Sequence, residues 1–185
     1  DITYFITSDS QKGSIKNNSL YEDLKSYDLI NNKHIPFDYK TNDRKARLEL
    51  LAGLLDTDGE LSCGGFSITQ KREILADDIC FLARSLGFAA YKKEVQKKCQ
   101  TGAIGTYFRV HISGDCSEIP VRIERKKCPV RKQIKDVLMT GIEVIDTGEM
   151  DVFYGIEIDG NHLFLLEDFT VVHNSLALCR SAVQN

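Results

Sequence analysis

Apolar positions in the first half of the chain recur at intervals of three and four. Over Ser19 to Ile30, Leu20, Leu24, Tyr27 and Ile30 follow a serine suited to capping, which predicts a helix ending at Asn31-Asn32. A second helix is predicted over Asp43 to Leu55, with Leu48, Leu51, Ala52 and Leu55 on one face and Gly59 marking its end. Phe66 to Gln70 reads as a strand. Ile74 to Leu86 reads as a third helix with Ile79, Leu82, Ala83 and Leu86 on one face, stopped by Gly87. The period then changes to two. Phe88 to Lys98 and Tyr107 to Ser113 are β-rich, and alternation places Phe108, Val110 and Ile112 on one side with Arg109 and His111 on the other. Beyond Pro129 a short helix to about Met139 is expected, and then short strands in VIDTG, VFYGIEID, HLFLL and FTVV, so the chain ends all-β. The pattern predicts an α+β fold.

Composition narrows the class. A chain of 185 residues suggests one domain, two at most, and 42% apolar with 28% charged residues fits a polypeptide that folds. No apolar run reaches the length of a membrane helix, and DITYFITSDS has no basic n-region, so no membrane or secretory destination is expected and an intracellular one, cytoplasmic or nuclear, is. The six cysteines include no CxxC pair and read as reduced thiols.

The formal net charge of −3 hides two opposed blocks. Residues 84–135 carry thirteen Lys or Arg against four acids, and residues 136–174 carry nine acids and no Lys or Arg. Such a reversal predicts two surfaces with different partners and a domain boundary near 135 to 140.

Candidate chemistry begins in Leu51-Ala52-Gly53-Leu54-Leu55-Asp56-Thr57-Asp58-Gly59. Small Ala52 and Gly53 on a helix suit the close approach of a second helix, and Asp56 and Asp58 lie where the helix stops. A carboxylate at such a seam can share a hard cation such as Mg²⁺ with a partner carboxylate. An EF-hand is excluded because Leu61 stands where that loop needs glycine. This segment resembles the signature of LAGLIDADG homing endonucleases at seven of nine letters. The resemblance implies an αββαββα endonuclease fold, Asp58 as a ligand of catalytic Mg²⁺ or Mn²⁺, and Asp56 as a structural cap. The family needs two such motifs and one is found, so the chain is expected to start inside the first endonuclease half and to lack an upstream segment with the partner acid. Asn32-Lys33-His34-Ile35-Pro36 resembles the family segment that supplies an active-site lysine, here Lys33. Lys126-Lys127-Cys128-Pro129 repeats that spacing and makes Lys126 its counterpart. The family's DNA-facing sheet implies double-stranded DNA as partner, with Lys92, Lys93, Lys97, Lys98, Arg109, Arg125 and Lys127 as binding residues, and with Gln96, Gln100 and Arg109 able to read base edges.

The end of the chain carries a second pattern. Val171-Val172-His173-Asn174-Ser175, preceded by Asn161-His162-Leu163-Phe164-Leu165-Leu166, resembles the C-terminal splice junction of an intein. An Asn amide can attack its own carbonyl carbon and cut the chain, an adjacent His can protonate the leaving amine, and a following hydroxyl can carry the upstream segment as an ester. The resemblance assigns Asn174 as the cyclising residue, His173 as its partner, His162 as the upstream histidine and Ser175 as the first host residue. Where many inteins place Asp, Gly155 follows Tyr154, and no catalytic carboxylate is assigned there. The expected divisions are 1–42, the end of the first endonuclease half; 43–135, the second half; 136–174, the C-terminal strands of a Hint splicing domain; and 175–185, a host tail. In SLALCRSAVQN a P-loop serine would open a helix. The function expected is a bifunctional intein, with host exteins as covalent partners. The alternatives are a LAGLIDADG-like maturase or regulator that binds without cutting, and a degenerate intein that only splices.

Overall fold

A computed structural model describes residues 19–98, 104–130 and 157–174, together with 136, 137, 139, 141, 143, 145, 146, 148–150 and 152. It divides into two units, Asp1–Lys33 and His34–Asn185.

In the first unit, helix α1 spans Ser19–Ser26 and ends four residues before the predicted stop. Asp28 takes a left-handed conformation with φ 54°, and the Leu29 N–H turns back to the Leu24 carbonyl at 2.8 Å, which closes the helix early.

The second unit opens with α2, Phe37–Lys40, which the apolar pattern did not predict. Helix α3, Arg44–Asp58, starts where the Asp43 carboxylate accepts the Ala46 N–H at 2.9 Å. Gly59 ends it. A Cβ there would lie 2.6 Å from the Leu55 carbonyl oxygen, so only glycine passes from helix to strand this tightly. Strand β1, Gly59–Ser62, follows directly, then β2, Gly65–Gln70. Helix α4, Glu73–Ser85, carries Leu75, Ala76, Ile79, Cys80, Leu82 and Ala83 on its buried face, and Gly87 at φ 91° lets the chain leave it. Strands β3, Ala89–Lys98, and β4, Ile104–Ser113, complete an antiparallel sheet in the order β1-β2-β4-β3.

One face of that sheet is covered. Phe66, Ile68, Val110 and Ile112 lie on it and are at most 2% exposed, packed in one cluster with Leu51 and Leu55 of α3 and Ile79 and Leu82 of α4. Each such side chain contributes about 1.5–3 kcal/mol by leaving water. The fold is α+β, in the order αββαββ from α3 onward. Asp78 of α4 is buried and pins the preceding segment to the core: it accepts the Ile35 N–H at 2.7 Å and the Lys40 ammonium at 2.5 Å. Ile35 itself is 4% exposed.

Two short 3₁₀ turns, Cys116–Glu118 and Glu124–Lys126, follow the sheet. The helix expected up to Met139 falls mostly outside the described residues, and Asp136, Val137 and Met139 are not helical. The strands expected in VIDTG and VFYGIEID lie partly outside the described residues, and Ile145, Asp146, Gly148, Val152, Glu157, Ile158 and Asp159 are not in strands. The last two expected strands form a hairpin of β5, Leu163–Leu165, and β6, Val171–His173, paired antiparallel.

Candidate functional site

Asp58 is the last residue of α3 and is exposed. One carboxylate oxygen accepts from the Gln70 amide at 3.2 Å. Asp56, two residues earlier, turns the other way and accepts the Arg122 N–H at 2.8 Å and the Ile123 N–H at 3.2 Å. The Arg122 N–H holds the Asp56 carboxyl below its ordinary value; partial burial opposes this, and the Ile123 N–H and the Lys126 charge reinforce it. The two acids of the motif are thus separated, one facing water and one bound to a loop.

The small residues of the motif separate as well. Ala52 is 4% exposed in the core, whereas a Cβ on Gly53 would meet nothing within 4 Å. Only Gly53 lies on the open side of α3.

Lys126, read from the sequence as a lysine beside phosphate, is 3% exposed. Its ammonium donates to the main-chain carbonyls of Leu55 at 2.7 Å and Asp56 at 2.8 Å in the last turn of α3, where the Leu55 carbonyl also accepts the Gly59 N–H. Lys33 is exposed and is the last residue of the first unit.

Strand register sorts the basic residues. Lys93 pairs with Arg109 and Tyr91 with His111, with Thr69 and Ser67 as the next partners on β2. These residues, with Lys97, share the face opposite the core. Lys92 pairs with Val110 and Lys98 with Ile104, on the helix side. There the Lys92 ammonium meets Glu73 at 2.7 Å and Asp77 at 2.5 Å, and lies 5.5 Å from the Phe108 ring. Burial alone would lower the Lys92 pKa, but the hydrogen bonds to Asp77 and Glu73 outweigh it and raise the pKa above its ordinary value. Gln96 is also on the helix side, where its amide donates to the Thr106 hydroxyl at 3.0 Å. Gln100 lies outside the described residues. Arg125 is exposed, and Lys127, also exposed, pairs with Glu124 at 2.7 Å. The open face further presents Glu60 and Ser62 of β1, which line a concavity with Ser67, Arg109, His111 and Ser113. Sequence reading missed Glu60 because β1 was not predicted.

At the hairpin, pairing brings three candidates together. Leu163 lies opposite His173, and the Asn174 N–H donates to the His162 carbonyl at 2.7 Å. The rings of His162 and His173 are 5.9 Å apart, edge to face. His162 has φ 56°, and its Nδ1 is 2.7 Å from the Ile158 carbonyl. A carbonyl only accepts, so Nδ1 carries the hydrogen and Nε2 of the neutral ring is the acceptor. Ser175 lies outside the described residues. At the hairpin's other end the Asp168 carboxyl is held below its ordinary value chiefly by the Thr170 N–H, which it accepts at 2.9 Å.

A hard divalent cation takes oxygen ligands, and Asp58 presents a carboxylate of that kind. Among the described residues no group of three or more His, Cys, Asp or Glu is placed to hold a metal ion. Asp58 by itself offers one such carboxylate, exposed at the end of α3.

The replicative DNA helicase DnaB of Mycobacterium intracellulare is 43% identical to this chain over 81 residues, which make up 42% of this chain and 12% of that protein. The match therefore spans only a small part of that relative's length. The homing endonuclease family profile matches residues 34–142, a stretch that includes α3, the sheet and Asp58, and on this match the chain belongs to the homing endonuclease family.

Proposed function

We propose that the chain is part of a bifunctional intein, whose endonuclease makes a site-specific double-strand cut in DNA and whose flanking strands excise it from a host protein. The observation that carries the nuclease reading is an exposed Asp58 at the end of the LAGLLDTDG helix, inside the homing endonuclease match. Lys93, Lys97 and Arg109 on the open sheet face provide the charge for phosphate, and Arg125 is exposed to add to it. Asp58, with a carboxylate from a second acidic helix against the Gly53 side of α3, would hold Mg²⁺ or Mn²⁺, which would supply Lewis acidity at the scissile phosphate. Lys33 belongs to the half that contributes that second helix.

For splicing, the Asn174 amide nitrogen attacks its own carbonyl carbon, the bond to Ser175 breaks, and a succinimide closes. His173 protonates the leaving amine. The hydrogen bond from the Asn174 N–H to the His162 carbonyl steadies the attacking residue. Ser175 carries the upstream host segment as an ester before its shift to the amine. The similarity to a replicative helicase supports a helicase of that kind as the host.

The test is a supercoiled plasmid bearing the uninterrupted host gene, incubated with full-length protein and Mg²⁺. Linear product is expected, and none from Asp58→Asn. Binding without linear product from the wild type would favour a maturase-like or regulatory binder.

A further inference from the structure

The carboxyl end of α3 is gripped by a segment some seventy positions away. The Lys126 ammonium donates to the carbonyls of Leu55 and Asp56 at 2.7 and 2.8 Å, while the Asp56 carboxylate accepts the N–H groups of Arg122 and Ile123 at 2.8 and 3.2 Å. The contact is reciprocal. Asp56 takes part through both its main chain and its side chain, and the segment answers with one side chain and two amides.

An ordinary helix end leaves its last carbonyls to water or to a turn. Putting an ammonium that is only 3% exposed there carries a desolvation cost, offset by charge-assisted bonds and by the negative end of the helix dipole. Capping alone does not require so costly a group. What the group adds is rigidity at one place: four bonds fix the peptide on either side of Asp56, and Asp58 is two residues further on. Asp58 has a restraint of its own in the 3.2 Å bond from the Gln70 amide.

We propose that Lys126 is a positioning residue which, with Asp56, aims the Asp58 carboxylate at its cation. The inference rests on the reading of Asp58 as a metal ligand. It differs from a lysine that touches phosphate, because the ammonium acts through the backbone of α3 and acts before DNA arrives.

That difference sets the experiment. Mn²⁺ binding to full-length protein without DNA is measured by electron paramagnetic resonance for wild type, Asp58→Ala, Lys126→Met and Asp56→Asn, with hydrogen exchange at Arg122 and Ile123 reporting the clamp. Lys126→Met is expected to weaken Mn²⁺ binding about tenfold, the low end for outer-shell partners of a metal ligand. It should raise the Mg²⁺ needed for half-maximal cutting and leave the apparent KM for DNA unchanged. Asp56→Asn should weaken Mn²⁺ binding in the same direction and speed exchange at both amides. If Lys126→Met cuts more slowly with unaltered Mn²⁺ affinity, the lysine touches phosphate and the clamp is overturned. Should Lys126→Met fail to fold, an Asp56→Asn protein with wild-type Mn²⁺ affinity overturns it equally. Wild-type binding that Asp58→Ala does not weaken overturns both the clamp and the reading of Asp58.

Discussion

Single residues in this molecule are distinguished by what surrounds them more than by their type. Cys63 is exposed at the β1–β2 turn, while Cys80 on α4 is 6% exposed in the core. Burial raises the Cys80 pKa above its ordinary value of 9.0, because the thiolate would lose water in the core cluster that α4 helps to form. In native protein at pH 8, iodoacetamide is therefore expected to label Cys63 before Cys80. Cys80 should stay unlabelled until denaturant is added, with peptide mass spectrometry reading the order. Equal rates in the native state would show that α4 does not shield the thiol. Lys92 and Lys93 are neighbours of the same type, yet one is committed to Glu73 and Asp77 and the other lies on the open face. The first ion cluster has a defined pH window. A lysine held above its ordinary pKa contributes stability throughout the neutral range, and that contribution is lost as pH rises past 10.5 and through the raised value.

Elements turn such differences into faces. A strand exposes alternate side chains, so phosphate contact should follow parity along β3 and not the simple count of lysines. Lys93→Ala is expected to reduce the slope of log affinity against log salt by about 0.9, the contribution of one neutralised phosphate. Lys92→Ala should leave the slope unchanged and lower the thermal midpoint. Filter binding over a range of salt separates the two, and a shallower slope for Lys92→Ala would place DNA on the wrong side of the sheet. Parity was legible in the sequence, since YFRVHIS alternates cleanly, and so were α3 and α4, whose apolar positions repeat at three and four. What was not legible has a physical cause in each case. The segment Gly59-Glu60-Leu61-Ser62 is poor in β-formers and becomes a strand only because β2 pairs with it. Lys126 looked like its neighbours Arg125 and Lys127, because the carbonyls that bury it are 70 and 71 positions away. The hairpin is an element of another kind, and it aligns His162, His173 and Asn174 at one end. Under the proposed chemistry, Asn174→Ala abolishes release of the segment beginning at Ser175 and His173→Ala slows it. Mass spectrometry of the purified precursor checks this, and release from the Asn174→Ala protein would remove Asn174 from the reaction.

Across the whole molecule the decisive quantity is where charge of each sign meets DNA. On the proposed reading the open-face Lys93, Lys97 and Arg109 attract phosphate, but Asp58 and Glu60 stand at the β1 edge of the same unit as exposed carboxylates. Without a divalent cation Asp58 repels the phosphate it is proposed to act on, and with one the sign at that point reverses. Under the proposed function, chelation should therefore stop cutting while leaving binding in place, since affinity is assigned to the lysines and arginines and cutting to the acid. A sharper consequence is that Asp58→Asn should bind DNA more tightly than wild type in EDTA. The expected gain is about fivefold, or ~1 kcal/mol, the size of one charge interaction at close range in water. In Mg²⁺ that advantage should vanish or invert, because the wild-type carboxylate then recruits a cation that draws phosphate in. Fluorescence anisotropy with a labelled duplex, in EDTA and in Ca²⁺ to avoid cutting, measures both limbs. Equal affinities of the two proteins under both conditions would mean that phosphate never approaches Asp58.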